Sequence, residues 1–214
     1  LDAVTALVVA IDGPAGAGKS SVARAVATRL GVRYLDTGAM YRALTWLALH
    51  EGVALDDGPA LADVAREQPV TFGPGGSVSI GGNDVTAQIR QPEIDASVPV
   101  VARHQEVREV MRERQRELGR LGDAVIEGRD IGVVVVPDAR LKIWLTADPE
   151  VRAHRRHAER DGIAVATLAE QLRHRDERDA ENTHRAPDAI EVDTTHLTLD
   201  EVVDRIAELA EARR

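Results

Sequence analysis

Near the start of the chain stands an unbroken apolar run, Leu7-Val8-Val9-Ala10-Ile11. So short a run, rich in β-branched residues, reads as a strand buried on both faces. Gly13 and Pro14 end it. From Lys19 the period changes: Val22, Ala23, Val26, Ala27 and Leu30 recur at helical spacing, and Gly31 closes the helix. Val32–Leu35 reads as a second short strand, Asp36-Thr37-Gly38 as a turn, and Ala39–His50 and Leu61–Arg66 as helices. Pro69–Thr86, "PVTFGPGGSVSIGGNDVT", then alternates apolar and polar residues around Gly-rich turns. That pattern predicts a small antiparallel unit inserted into the chain. Gln91–Leu121 is mostly helical, with Val107, Val110, Met111, Leu118 and Leu121 on one face. "DAVIEGRD" and "LKIWLTADP" each hold a buried strand. Val151–Arg160 and Leu168–Asp179 are Arg-rich helices, Ile190–Val192 is a last strand, and Leu199–Ala212 is an amphipathic closing helix. Strands alternating with helices predict an α/β fold with a parallel sheet covered on both faces. In such a sheet ligands sit at the carboxyl ends of the strands. Asp12, Asp36, Glu127 and Asp130 fall there.

The first strand and helix flank Gly13-Pro14-Ala15-Gly16-Ala17-Gly18-Lys19-Ser20, followed by Ser21. The segment matches the phosphate-binding loop G-x-x-x-x-G-K-[ST] in the context that motif requires. Small residues let backbone N–H groups curl around an anionic phosphate chain, and the helix N-terminus adds partial positive charge. Lys19 is placed to reach the β- and γ-phosphates, and the Ser20 hydroxyl to ligate Mg²⁺. A plain Gly-rich turn carrying a chance Lys-Ser is the bland alternative. Taken alone, the loop permits a switch GTPase, an ATP-driven motor or a small-molecule kinase. No Asn-Lys-x-Asp guanine reader occurs, and "AVIEGRD" is not the apolar strand ending in Asp-Glu that a motor ATPase carries.

Composition narrows the choice. The 214 residues suffice for one compact domain with an insertion, or for two small lobes. No cysteine is present, which excludes disulfides and thiolate metal sites. No basic region followed by a long apolar stretch suggests a signal peptide, and no apolar run approaches the ~20 residues of a membrane span. A soluble, cytoplasmic protein is expected. A net charge of −9 and only 2% aromatic residues argue against a nucleic-acid partner. An acidic protein that binds phosphates must concentrate its positive charge locally. The arginine clusters, with the small size, favour a phosphoryl transferase with a second anionic substrate.

"IDGPAGAGKSS", "YLDTGAMYR", "IEGRDIG", "RAHRR", "RDERD" and "DTTHLTLDEV" together resemble, in order, the signature segments of bacterial cytidylate kinases. The resemblance covers nearly the whole chain, the Gly-rich insert included. It implies a P-loop core (1–36 and 104–214), a nucleoside-monophosphate-binding insertion (37–103) and a short lid around 152–165. It also implies transfer of the γ-phosphate of ATP, with Mg²⁺, to CMP or dCMP, by a monomer with no membrane partner. By this resemblance Gly13 to Ser21 bind the ATP phosphates. Thr37, Tyr41 and Arg42 line the acceptor phosphate. Arg129 grips that phosphate, Asp130 reads the cytosine and Arg108 is a second base reader. Arg155 and Arg156, sharing a helix face with Arg152, neutralise the transferring group. Arg175, Arg178 and Asp179 hold the acceptor's phosphate and ribose. Lys19, Arg129, Arg155 and Arg156 form the expected catalytic set. Asp36 or Asp130 would hold a Mg²⁺-bound water.

Plainer readings stand beside these roles. Tyr41 packs its helix. Arg129 and Asp130 pair with each other. Arg108, Arg112 and Arg116, alternating with Glu109, Glu113 and Glu117, form a solvated ion-paired face. For Arg112 and Arg116 the plainer reading is preferred. The chain departs from the family twice: Pro99 stands where a base-contacting Ser is usual, and Asn182 where an Arg is, in a loop about four residues short, with Arg185 a substitute. A kinase for UMP or a shikimate-like acceptor, and a non-enzymatic nucleotide-binding module, remain as alternatives.

Overall fold

The computed structural model describes residues 6–159 and 162–214, and Arg160 and Asp161 of the expected lid lie outside the described residues. Two units divide the chain: one runs to Tyr34 and resumes at Leu121, the other spans Leu35–Arg120. The second unit takes in the helix that follows 103, whereas the sequence reading ended the insertion at 103.

The first unit is built on a parallel sheet. Strand β1 (Val8–Asp12) is buried at every residue, as its unbroken apolar run requires. The sheet order is β2 (Arg33–Asp36), β6 (Ala124–Glu127), β1, β7 (Leu141–Thr146), β8 (Ile190–Asp193). β1 pairs in parallel with β6 on one side and β7 on the other, and β7 with β8. The chain leaves β1 toward one side and later returns to the other, so the carboxyl end of β1 is a topological switch point. Helices α1 (Lys19–Leu30) and α8 (Leu199–Glu211) close one core, where Val22, Val26 and Leu30 meet Val9, Ile11, Ile143, Val192, Val203 and Ile206. α8 begins with a reciprocal cap in which Thr198 and Glu201 satisfy each other's backbone N–H groups.

Ile131–Val135, "IGVVV", has the β-branched composition of a strand yet forms a single π-helical turn. The cause is tertiary. The buried Asp12 carboxylate accepts from Ile131 N–H at 2.9 Å and Gly132 N–H at 2.8 Å, which turns the chain before it can extend. Helices α6 (Pro149–Glu159) and α7 (Val165–Asp179) form a hairpin between β7 and β8 in sequence.

In the second unit α2 spans Thr37–Glu51. It starts two residues before the helix predicted at Ala39, because Asp36 is its N-cap and accepts from Ala39 N–H at 2.8 Å. Helix α3 (Gly58–Glu67) precedes the antiparallel sheet β3 (Thr71–Phe72), β4 (Val78–Ile80), β5 (Asn83–Asp84), in the Gly-rich segment that predicted it. The mostly helical stretch Gln91–Leu121 holds two helices, α4 (Pro92–Ala102) and α5 (Gln105–Arg120). The break falls at His104, whose ring Nε2 lies 3.0 Å from Leu55 O. Among the described residues no helix is long and apolar enough to cross a membrane.

Candidate active site

The loop between β1 and α1 needs its glycines. Gly13 has φ 148°, and a Cβ there would collide with the carbonyl oxygen of Leu145 on β7. Gly18 is the N-cap of α1 at φ 88°. The loop therefore leaves the switch point and enters the helix N-terminus, with Lys19 as the first helical residue.

Lys19 Nζ donates to the Gly13 and Pro14 carbonyls, both at 2.8 Å. Burial pushes its pKa down to about 7, with a further push from the Arg129 cation, opposed by Glu127. At the end of β1, burial raises Asp12 to about 6 against the pull of the Gly132 and Ile131 N–H groups. Ser20 Oγ donates to Glu127 Oε2 at 3.0 Å, and the Tyr34 hydroxyl donates to Glu127 Oε1. A hydroxyl and a carboxylate thus meet beside Lys19, at the start of α1.

Three expected acceptor residues come together here. Arg129 Nη2 pairs with Asp179 Oδ2 at 2.7 Å, and Arg175 Nε lies 3.7 Å from the same oxygen. Arg129 Nη1 donates to Gly13 O at 3.3 Å, so this cluster touches the first residue of the loop. Arg129 thus has an acidic partner in Asp179, on α7. Asp130 is the residue that opens the π-helical turn, close enough for its charge to raise the pKa of Asp12.

The α6–α7 hairpin grips the loop from a third direction. Arg152 Nη1 donates to Ala15 O at 2.8 Å, while Asp176 accepts from Ala15 N–H at 3.0 Å. Arg155 turns elsewhere: it donates to Thr194 Oγ1 at 2.8 Å and Thr194 O at 2.7 Å, just after β8. Its Nη1 still lies 3.9 Å from where a Cβ on Gly18 would stand. Arg156 is half-buried on α6. Arg185, the expected substitute at the short loop, is ion-paired with Glu191.

In the second unit the expected residues take these places. Arg42 Nη2 pairs with the buried Asp36 at 2.7 Å, and Arg90 stands 3.6 Å from the same oxygen. Arg42 Nε is buried and finds no hydrogen-bond partner. Asp36 spends one oxygen on its cap and the other on these arginines. Thr37 is buried, Tyr41 is half-buried and Arg108 is half-buried on α5. Pro99 is exposed inside α4.

Three residues of the site escaped the sequence reading. Glu127 was noted only as a strand-end acid. In the sequence Arg152 is one of three arginines on a shared helix face, with nothing local to set it apart. Asp176 was passed over between Arg175 and Asp179, although its spacing of three from Asp179 puts both on one helix face.

A family model described as cytidylate kinase matches residues 9–212. The chain belongs to the cytidylate kinase family. A cytidylate kinase of Geobacillus sp. (strain WCH70) is 47% identical over 216 residues, covering 96% of each chain. One of Bacillus subtilis (strain 168) is 45% identical over 218 residues, covering 97% of each. One of Streptomyces avermitilis is 44% identical over 220 residues, covering 99% of this chain and 95% of its own. Among solved structures, an uncharacterized protein from Eubacterium ventriosum ATCC 27560 superposes with a TM-score of 0.54 at 14% identity, over 97% of this chain and 99% of its own. At that identity the likeness concerns the fold alone.

Proposed function

We propose that the chain transfers the γ-phosphoryl group of ATP to CMP or dCMP. The observation that carries this reading is the bond from Arg129 to Gly13, which puts an acceptor-side cation against the phosphate loop in a member of the cytidylate kinase family. Gly13 to Ser21 and Lys19 take the ATP phosphates. Those oxygens are stronger acceptors than the two carbonyls Lys19 now serves, and their charge restores the Lys19 proton that burial loosens. Arg129 and Arg175 take the acceptor phosphate, and Asp179 accepts from a sugar hydroxyl. The acceptor is already an anion, so alignment and charge stabilisation suffice and no strong general base is required. Thr37, Tyr41 and Arg42 carry the remaining acceptor-phosphate assignments. The orphaned Arg42 Nε, a donor that lacks an acceptor, supports that of Arg42. Arg155 and Arg156 stay as charge-neutralising candidates, Arg155 by its approach to Gly18.

Mg²⁺ suits this site. Ser20 and Glu127 offer oxygen ligands, and among the described residues no group of three or more His, Cys, Asp or Glu forms an all-protein cage. Magnesium is ordinarily held by one or two side chains plus phosphates and waters. Ser20 would hold it, with Glu127 on a bound water; the ion neutralises phosphate charge. Asp36 is committed to its cap and arginines, which makes it less suited than Glu127 or Asp130. The insertion is the nucleoside-monophosphate-binding lobe, the segment around 152–165 the lid, and the protein acts as a cytoplasmic monomer.

Base choice tests the reading. Cytosine offers an amino donor and a ring acceptor, which Asp130 and Arg108 respectively match; uracil reverses both. Each buried group left unpaired costs ~1–3 kcal/mol, so kcat/KM for CMP exceeds that for UMP by at least about tenfold. An ADP-release assay across CMP, dCMP, UMP and AMP measures it. Pro99 supplies neither hydroxyl nor N–H, which keeps the discrimination below that of a site with Ser there. Asp130→Asn narrows the ratio, because an amide can donate to a uracil carbonyl. Equal efficiency with CMP and UMP in the parent overturns the base-reader assignment.

A further inference from the structure

Asp176 has no role in the assignments above, yet it is bonded directly to the phosphate loop. Its Oδ1 accepts from Ala15 N–H at 3.0 Å and stands 4.0 Å from Arg129 Nη1. Its Oδ2 pairs with Arg152 Nη1 at 2.5 Å, and the same Nη1 donates back to Ala15 O. The peptide groups on both sides of Ala15 are thus held by one carboxylate–guanidinium pair from the α6–α7 hairpin. Apolar packing fixes the pair: Ala15, Ala153 and Leu172 form a buried cluster, supported by Val165 and Ala169. A Cβ on Gly16 would come within 3.2 Å of Arg152 Cβ and 3.3 Å of Leu172 Cδ1, so the hairpin lies directly on the loop.

The arrangement has a direction. Asp176 and Asp179 share a face of α7, one turn apart. Asp179 holds Arg129 by Nη2, and Asp176 faces its Nη1. One helix face therefore sets the spacing between the loop that takes ATP and the arginine assigned to the acceptor phosphate. Arg152 is the second group so fixed. Its side chain is mostly buried, and its Nε has no hydrogen-bond partner. A buried guanidinium with its Nε–H unspent can take an acceptor that arrives with the reaction, and a phosphoryl oxygen beside Ala15 is one.

We infer that Asp176 is a positioning residue for phosphoryl transfer: through Arg152 and the Ala15 peptide groups it locks the lid hairpin to the phosphate loop and holds Arg152 aimed at the transferring group. The inference rests on the kinase reading above. Asp176 itself touches neither substrate. An anion cannot donate to a phosphate; its effect is to keep two cations and the two peptide planes at Ala15 in place.

The test is a double-mutant cycle of Asp176→Asn and Arg152→Met in the full chain, with kcat, KM for CMP and for ATP, and melting temperature measured for each protein. The parent must first show CMP-dependent ADP release; without it the kinase reading fails, and the cycle is not reached. Asp176→Asn keeps one acceptor oxygen but loses the charge that holds Arg152. A misplacement of about 1 Å costs up to ~10²-fold, so we expect kcat to fall about ten- to a hundredfold with KM for CMP changed less than about threefold. The double variant is no more than about threefold worse than Arg152→Met alone, because Asp176 acts through that arginine. Asp176→Glu recovers part of the loss. Losses that multiply in the double variant overturn the inference. So does a kcat for Asp176→Asn within about twofold of the parent, including the case where only the melting temperature falls, which makes Asp176 a structural tie.

Discussion

Replacing Lys19 with alanine is expected to lower kcat by about 10²–10⁴-fold, the range for loss of one charged group at a transferring phosphoryl centre. Lys19 is the only cationic side chain in Gly13–Ser21. Its Nζ already lies against the loop carbonyls, so little rearrangement separates it from a phosphate chain laid in the same loop. The fold should survive, and the sign of the charge linkage says why. The unfolded Lys19 keeps its ordinary pKa of 10.5, whereas the folded one is pushed down to about 7. Between those values the unfolded chain binds the extra proton, so this group's cost to stability is full below pH 7 and relieved as pH rises toward 10.5. Lys19→Ala therefore melts closest to, or above, the parent at neutral pH, and loses ground relative to it at alkaline pH. The same shift gives kcat/KM for ATP in the parent a falling limb above pH 7, as the free enzyme loses that proton. A variant within a few-fold of parental kcat places Lys19 away from the chemistry.

Arg129→Ala is the second large effect. Arg129 has one arm on Asp179 and the other on Gly13, and the proposal gives its planar fork to the acceptor phosphate. Two charge-assisted hydrogen bonds at ~1.5–3 kcal/mol each amount to about 10²–10⁴-fold in kcat/KM for CMP. The KM for ATP should change by less than about threefold, because the loop amides and Lys19 are untouched. Arg129 also helps push Lys19 down, so its removal moves the falling limb of kcat/KM for ATP to higher pH. Arg129→Lys should recover little, since a single ammonium cannot span both partners. Equal loss of CMP and ATP binding, or a melted fold, assigns Arg129 to structure. Kinetics with each substrate varied in turn, beside a thermal melt, separate these outcomes.

What could be read from the chain alone follows a physical line. Local signals carried β1, the phosphate loop and α1, because an unbroken β-branched run, a glycine loop and a 3.6-residue period lie consecutively there. The inserted sheet was equally legible from its alternation and Gly-Gly turns. What local signals do not carry is tertiary. "IGVVV" carries strand propensity, but a buried Asp12 more than a hundred residues away turns it into a π-helical turn. The break at His104 is accompanied by a contact to Leu55 that no periodicity announces. In the site, arginines were found because they cluster in sequence, while their partners were not. The pairing of Asp179 with Arg129 spans fifty residues and has no local signal. Asp176 shows its part only once α6 and α7 lie on Ala15. Opposite charges that meet across a fold leave no spacing rule to read.

The most direct test follows the phosphoryl group itself. The purified protein is incubated with Mg²⁺, CMP and ATP labelled at the γ-phosphate, and the products are separated over time. The label is expected in the β-position of CDP, with ADP formed in equal amount and little released as inorganic phosphate while CMP is present. Label that stays in ATP when CMP is added, or that leaves only as inorganic phosphate at a rate CMP does not change, contradicts the account.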